Sequence, residues 1–207
     1  AGPASFFTET AMTSIVDICN SALNQIGASN IISLTEDSKA ARICNQRFNF
    51  VRDSVFRAHP WNCLTTRTTI APDAETPAFT FSAQFSLPVD PFCLRVLQLS
   101  NTDILYKIEG RKLLCNESTV EMLYIGRVTD PNQYDLLLTE TIAASLAADL
   151  AYPLVGSSAL SANMFTLYQS KLTEARFVDA TEDNDINTSV ISDSRTVQAD
   201  TFINARF

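Results

Sequence analysis

The feature that most constrains the fold is a change of hydrophobic period in the middle of the chain. Up to about residue 61, and again after about residue 129, apolar residues recur at the spacing of amphipathic helices. Between residues 62 and 128 this spacing disappears, and short β-prone runs alternate with Thr- and Pro-rich turns. We therefore predict an α+β fold: a four-helix bundle with an antiparallel β subdomain inserted between helices 2 and 3.

The same pattern divides the chain of 207 residues into four parts. Residues 13–61 and 129–180 make up the helical bundle, and residues 62–128 make up the inserted β subdomain. Residues 1–12 are predicted to be an amino-terminal arm, within which Met12 is a second candidate start. Residues 181–207 are acidic, polar and without a hydrophobic period, which is typical of an extended carboxyl-terminal arm.

Capping residues predict the bounds of the first two helices. Ser14 and Asp17 have the spacing of a capping box, and Gly27 supplies a stop for the first helix. The second helix is predicted over about residues 36–58. It has to end before Pro60, because proline disfavours helical geometry at the preceding residue.

The third and fourth helices are predicted to form a hairpin. Asp130 and Pro131 resemble an N-cap followed by proline at the first helical position. The third helix is then predicted to end at Pro153, and a short turn leads into the fourth. In the inserted section between the second and third helices, Glu109 and Gly110 are a candidate hairpin turn. The predicted β runs are 62-NCLTTRTTI, 79-FTFSAQFSL, 93-CLRVLQL, 104-ILYKI, 111-RKLLC and 119-TVEMLYIGR.

The heptapeptide RAHPWNC at residues 57–63 holds the only histidine and the only tryptophan of the chain. A catalytic His59 would need a nucleophile and an orienting acid, and the sequence has no nucleophile motif that would supply them. A protonated His59 at the end of a helix would instead interact favourably with the helix dipole. We interpret His59, Pro60 and Trp61 as a structural anchor that ends the second helix.

One face of the second helix is basic. Two interpretations remain open for it: a face that is only solvated, or one that contacts an acidic neighbouring subunit. The arginines of this face, and so the candidate inter-subunit residues, are Arg42, Arg47, Arg52 and Arg57.

Composition argues against several classes of function. A net charge of −8 disfavours a protein that wraps nucleic acid, which needs Lys and Arg to neutralise phosphates. Five scattered cysteines without a CxxC motif indicate reduced, mostly buried thiols rather than a metal site. With only five glycines the chain has no phosphate-binding loop, so we expect no cofactor. We also expect no signal peptide and no membrane segment.

Several linked motifs carry a resemblance to a known family. They are IVDICNSALNQIG, ISLTEDSKAARICNQRFNFVRDSVFRAHPWNC, YKIEGRKLLCN, YIGRVTDPNQYDLLLTETIAASLAADLA and YQSKLTEARFVDA, in this order over roughly residues 13–180. Together they resemble phage head-to-tail adaptor proteins, the tail tubular protein A family of podoviruses. The ending TFINARF is similar to the aromatic-x-x-Ala-Arg ending of some members.

The resemblance implies a virion structural protein without enzymatic activity. Such a protein is made in the cytoplasm of the host bacterium and located at the portal vertex. It would form a homo-oligomeric ring, typically a dodecamer, between the portal protein and the tail tube or nozzle protein. DNA would pass through the channel without specific binding. Residues 71–118 would contact tail proteins or neighbouring subunits, and the arm would contact the portal through Ile191, Val197, Phe202, Ile203, Arg206 and Phe207.

Three alternatives stay open at this point. A neck or tail-completion protein of a long-tailed phage is another virion role that suits the same features. A peptidoglycan hydrolase would need two carboxylates, such as Glu36 with Asp37 or Glu182 with Asp183, and no recognisable motif surrounds either pair. A nucleic-acid-binding module would have to overcome the acidic charge of the chain.

Overall fold

The computed structural model describes residues 13–182. This part of the chain is a mixed α/β structure with four α-helices and two three-stranded antiparallel sheets, so the predicted combination of helices and antiparallel strands is confirmed. The helices are α1 (Ile15–Gln25), α2 (Lys39–Ala58), α3 (Leu136–Val155) and α4 (Ser158–Glu182). The strands, all between α2 and α3 in sequence, are β1 (Thr65–Ile70), β2 (Ala83–Ser86), β3 (Cys93–Leu99), β4 (Lys107–Glu109), β5 (Lys112–Cys115) and β6 (Val120–Gly126).

The capping box predicted for α1 is present. The Ser14 backbone N–H donates to Asp17 Oδ2 at 2.9 Å, and the Asp17 backbone N–H donates to Ser14 Oγ at 3.1 Å. The hydrogen bonds from Ser14 lower the pKa of Asp17. Beyond the last turn, Gly27 has a φ of +70°, a conformation that favours glycine, so the chain leaves the helix there as predicted.

Helix α2 begins three residues later than the sequence suggests. Ser38 is its N-cap, with a side-chain oxygen that accepts a hydrogen bond from the Ala41 backbone N–H at 3.1 Å. The helix ends at Ala58. His59 is extended, with φ −147° and ψ 153°, which is the geometry that the following Pro60 requires.

Two predictions about α3 are wrong. Asp130 and Pro131 open only a single 3₁₀ turn, and α3 begins at Leu136 with Asp135 as its N-cap. At the other end, Pro153 lies inside the last turn of α3. A proline there removes one helical N–H, and the helix continues until Gly156, whose φ of +76° turns the chain away.

The strands form two sheets, ordered β1–β6–β3 and β2–β5–β4. The predicted hairpin at Gly110 joins β4 to β5, with Glu109 opposite Lys112 and a φ of +58° at the glycine. Several strands are shorter than predicted. In particular, residues 62–64 form a 3₁₀ turn that follows the buried Trp61.

Apolar side chains form two buried clusters, one mainly among the helices, with Leu94 of β3 and Ile125 of β6, and one between the sheets. Helix α3 contacts α1, α2 and α4, and its alanines allow close approach; Ala143, Ala144, Ala147 and Ala151 are buried. All five cysteines are free thiols, and four of them are buried. Among residues 13–182, no helix has the length and hydropathy needed to cross a membrane.

Candidate interaction surfaces

The end of α2 is fixed to α4 by a polar contact that we call the Asp179 junction (Asp179, His59 and Asn62). His59 Nε2 lies 3.0 Å from Asp179 Oδ2, and the Asn62 backbone N–H donates to Asp179 Oδ1 at 3.1 Å. The Asn62 side-chain amide donates to the Asp179 carbonyl at 2.8 Å. Asp179 is buried although it lies on an otherwise largely exposed helix. Its carboxylate oxygens are both occupied, so the junction holds together segments that are 117 or more residues apart.

Trp61 completes this contact on the side of α2. Its side chain is fully buried, and its indole Nε1–H donates to the Val55 carbonyl at 3.0 Å. Val55 is in the last turn of α2, where carbonyls lack helical partners, so the indole satisfies one of them. The ring also packs edge-on against His59, with centroids 4.9 Å apart. Pro60 between them is exposed.

Burial is the largest influence on the pKa of His59. It lowers the pKa of His59, against the opposing effect of the Asp179 carboxylate; the guanidinium groups of Arg176 and Arg95 lower it further. Burial therefore favours the neutral form of the ring and opposes the interaction of a protonated His59 with the helix dipole. Within residues 13–182, Asp179 is the one side chain hydrogen-bonded to this ring. The arrangement is that of a contact between two distant segments of the chain.

The predicted basic face of α2 does not hold together as one surface. Arg42 is exposed and pairs with Asp37 at 2.6 Å, at the start of the same helix. Arg47 reaches across to α3 and pairs with Asp149 at 2.5 Å. Exposed pairs of this kind contribute little to stability, and both side chains remain within reach of a neighbouring molecule.

Arg52 is a correction to that prediction. It is only 4% exposed, and its guanidinium donates to Asp53 Oδ1 at 2.9 and 2.8 Å. The other oxygen of Asp53 pairs with Arg127 at 2.6 Å. The guanidinium also lies 6.0 Å from the ring centroid of Phe48 and 5.8 Å from that of Phe56, so Arg52 belongs to the interior rather than to an inter-subunit surface.

Arg57 also lies apart from Arg42 and Arg47. It donates to the Leu94 carbonyl on β3, beside Arg95 and Arg111. No pattern along the chain groups these three arginines, since they come from a helix, a strand and a hairpin turn. Only their placement in the fold brings them to one pocket.

A groove of about 560 Å³ runs between α2, α3 and α4. Phe50 and Phe165 line it and are 69% and 50% exposed. The ion pair of Arg47 and Asp149 also lines it, together with small residues such as Ser161. Large aromatic side chains left in solvent beside a groove are typical of an interaction surface.

The residues predicted to contact the portal lie outside the described part of the chain; they are Ile191, Val197, Phe202, Ile203, Arg206 and Phe207. Among residues 13–182, no three His, Cys, Asp or Glu side chains are grouped as metal ligands would be. The chain matches no protein-family model and no curated protein.

Proposed function

We propose that this protein is a virion structural protein, a head-to-tail adaptor that forms a ring between the portal protein and the tail tube or nozzle protein of a phage. The sequence motifs over roughly residues 13–180 support this reading through their resemblance to podovirus adaptors. The exposed aromatic residues of the groove between α2, α3 and α4 are the structural observation that carries it, because a ring subunit has to bury surface against two neighbours.

We also propose that the helices act as one bundle, with the strands as an inserted subdomain. Helix α3 contacts the other three helices, whereas among residues 13–182 only α2 and β3 are a helix and a strand that share more than a marginal contact. The two buried clusters follow largely the same division, although Leu94 of β3 and Ile125 of β6 belong to the helical cluster. A bundle that packs mainly by itself is suitable for a subunit whose helical and strand parts contact different neighbours.

The groove between α2, α3 and α4 is our candidate for the first ring flank. Its walls offer apolar surface from Phe50 and Phe165, and Arg47 and Asp149 offer charges of both signs. The second flank has to be a different surface, since a closed ring of identical subunits is built from heterologous contacts. Exposed apolar residues on the strand side supply one: Val89 and Leu105 are 76% and 83% exposed.

The acidic charge of the chain is compatible with a DNA channel. A lining with excess negative charge repels phosphates, so the genome would pass through the ring without being retained. The predicted portal contact then falls on the arm beyond the described residues, where Phe202 and Phe207 offer large apolar anchors.

The ring is tested by replacing both aromatic residues of the groove. A Phe50→Ser/Phe165→Ser variant is mixed with the portal protein, and the masses of the assemblies are measured by native mass spectrometry. We expect the wild-type chain to give closed rings on the portal, and the variant to give partial occupancy only. The matched control is Phe177→Ser, which removes an aromatic that is 73% exposed on α4 and is not part of the groove. Full rings with the double variant would contradict the assignment of this flank.

A further inference from the structure

Three arginines surround a pocket of about 340 Å³ between the end of α2, β3 and the β4–β5 hairpin. We call it the cationic pocket (Arg57, Arg95 and Arg111). The Arg95 guanidinium donates to the Arg57 carbonyl at 3.1 Å, and the Arg111 guanidinium donates to the Cys93 carbonyl at 3.2 Å and the Pro88 carbonyl at 2.7 Å. These bonds to backbone carbonyls hold the three side chains in place around one cavity.

The positive charges of the pocket have no acidic partner within the described structure. Every ion pair found among residues 13–182 involves other cations, and no Asp or Glu lines the pocket. Each guanidinium has five N–H donors, and the backbone carbonyls engage only a few of them. In a chain with a net charge of −8, a pocket with three uncompensated arginines has the chemistry of a carboxylate-binding site.

The walls between the arginines are apolar. Tyr106 and Ile108 are each 39% exposed at the rim, and Phe92 lies under the Arg111 guanidinium, 3.8 Å from its ring centroid. A pocket of this kind fits a peptide in which acidic and aliphatic residues are close together. A phosphate backbone would leave the apolar part uncovered.

A peptide of this composition begins where the described structure ends. Helix α4 ends at Glu182, three residues after Asp179, and Asp179 is bonded to His59, two residues from Arg57. Residues 183–190 contain Asp183, Asp185, Ile186 and Val190, and the first base after them is Arg195. Eight residues can extend over at most about 28 Å. Arg95 also donates to the Arg57 carbonyl, two residues before His59, so the pocket lies beside the Asp179 junction.

We propose that residues 183–190 dock in the cationic pocket of their own chain, with Asp183 and Asp185 as the carboxylates that its arginines bind. This contact anchors the base of the arm on the body of the protein. The arm beyond it, including Phe202 and Phe207, then starts from a fixed point and keeps its apolar anchors for a partner. The proposal does not depend on the identity of that partner.

Amide hydrogen exchange of the full chain, read by mass spectrometry, tests the contact. We expect the peptide over residues 183–190 to exchange about tenfold more slowly in the wild-type chain than in Arg95→Gln, because the segment loses one of the cations that hold it. Asp183→Asn/Asp185→Asn should accelerate exchange at least as much, because it removes both carboxylates, and 0.5 M NaCl should accelerate exchange in the wild-type chain. The matched controls are Arg67→Gln, an exposed arginine of β1 outside the pocket, and Asp200→Asn, which should both leave exchange unchanged.

Three results would overturn the proposal. Fast exchange of residues 183–190 in the wild-type chain would show that they do not dock. Slow exchange that persists in both Arg95→Gln and Asp183→Asn/Asp185→Asn would place the contact elsewhere. Finally, an equal mixture of these two variants contains an intact pocket and an intact segment on different chains. Slow exchange that returns in the mixture would show that the segment docks on a second copy.

Discussion

The anchoring role of Trp61 makes a quantitative prediction. Truncation to alanine removes a fully buried indole and leaves a cavity, a change that costs about 4 kcal/mol of unfolding free energy in well-packed interiors. Trp61→Phe keeps most of the apolar volume but loses the hydrogen bond to the Val55 carbonyl, which stays buried at the end of α2. We expect a cost of about 2 kcal/mol for this variant, divided between the unpaired carbonyl and the smaller ring.

The measurement is urea unfolding followed by far-ultraviolet circular dichroism, since both variants lack the only tryptophan and its fluorescence. The midpoint should fall in the order wild type, Trp61→Phe, Trp61→Ala, with similar slopes. Phe177→Ala is the matched control. It removes an aromatic ring that is 73% exposed, so its cost should be below about 0.5 kcal/mol. A loss below about 1 kcal/mol for Trp61→Ala would refute the anchoring role.

Three further predictions concern charge and backbone. Burial keeps the pKa of His59 below its ordinary 6.5, so the unfolded chain binds a proton that the folded chain does not, and stability falls as the pH drops below 6.5. His59→Gln should flatten this slope in urea titrations between about pH 7 and pH 5.5, and an unchanged slope would contradict the assignment. Arg52→Ala should cost about 3 kcal/mol of unfolding free energy, because it leaves Asp53 with one partner fewer in a mostly buried site. Arg42→Ala, which removes an exposed ion pair, should cost under about 0.5 kcal/mol. Equal shifts of the two melting temperatures would contradict the burial of Arg52. Gly156→Ala should cost about 1 kcal/mol in thermal unfolding, because its φ of +76° strains any residue with a Cβ; no loss would exclude that strain.

Local signals predicted much of the fold. The capping box of α1 uses residues three positions apart, and β3 occupies the run 93–99 that its β-prone composition suggested. Both depend on neighbours in sequence. Pro153 shows where such reasoning stops: a proline in the last turn removes only one N–H, and the helix ended instead at a glycine with positive φ.

The candidate surfaces were less accessible to sequence reasoning. Arg52 is an exception, because its helical spacing did carry a signal: it lies four residues after Phe48 and three before Val55, on the buried stripe of α2. Arg47 lies five residues away, about 140° around the helix, so the prediction of one basic face overlooked this spacing. The Asp179 junction and the cationic pocket join residues from distant elements. Their composition carries no signal along the chain, because long-range packing brings their members together.

The proposed function is tested most directly by imaging the protein with a portal protein. Electron microscopy of the purified mixture should show a closed ring of this chain on one face of the portal, with a central channel. The Phe202→Ala/Phe207→Ala variant should form no such ring, although its circular dichroism spectrum should match that of the wild-type chain. A wild-type chain that remains free in solution beside an unoccupied portal would contradict the account.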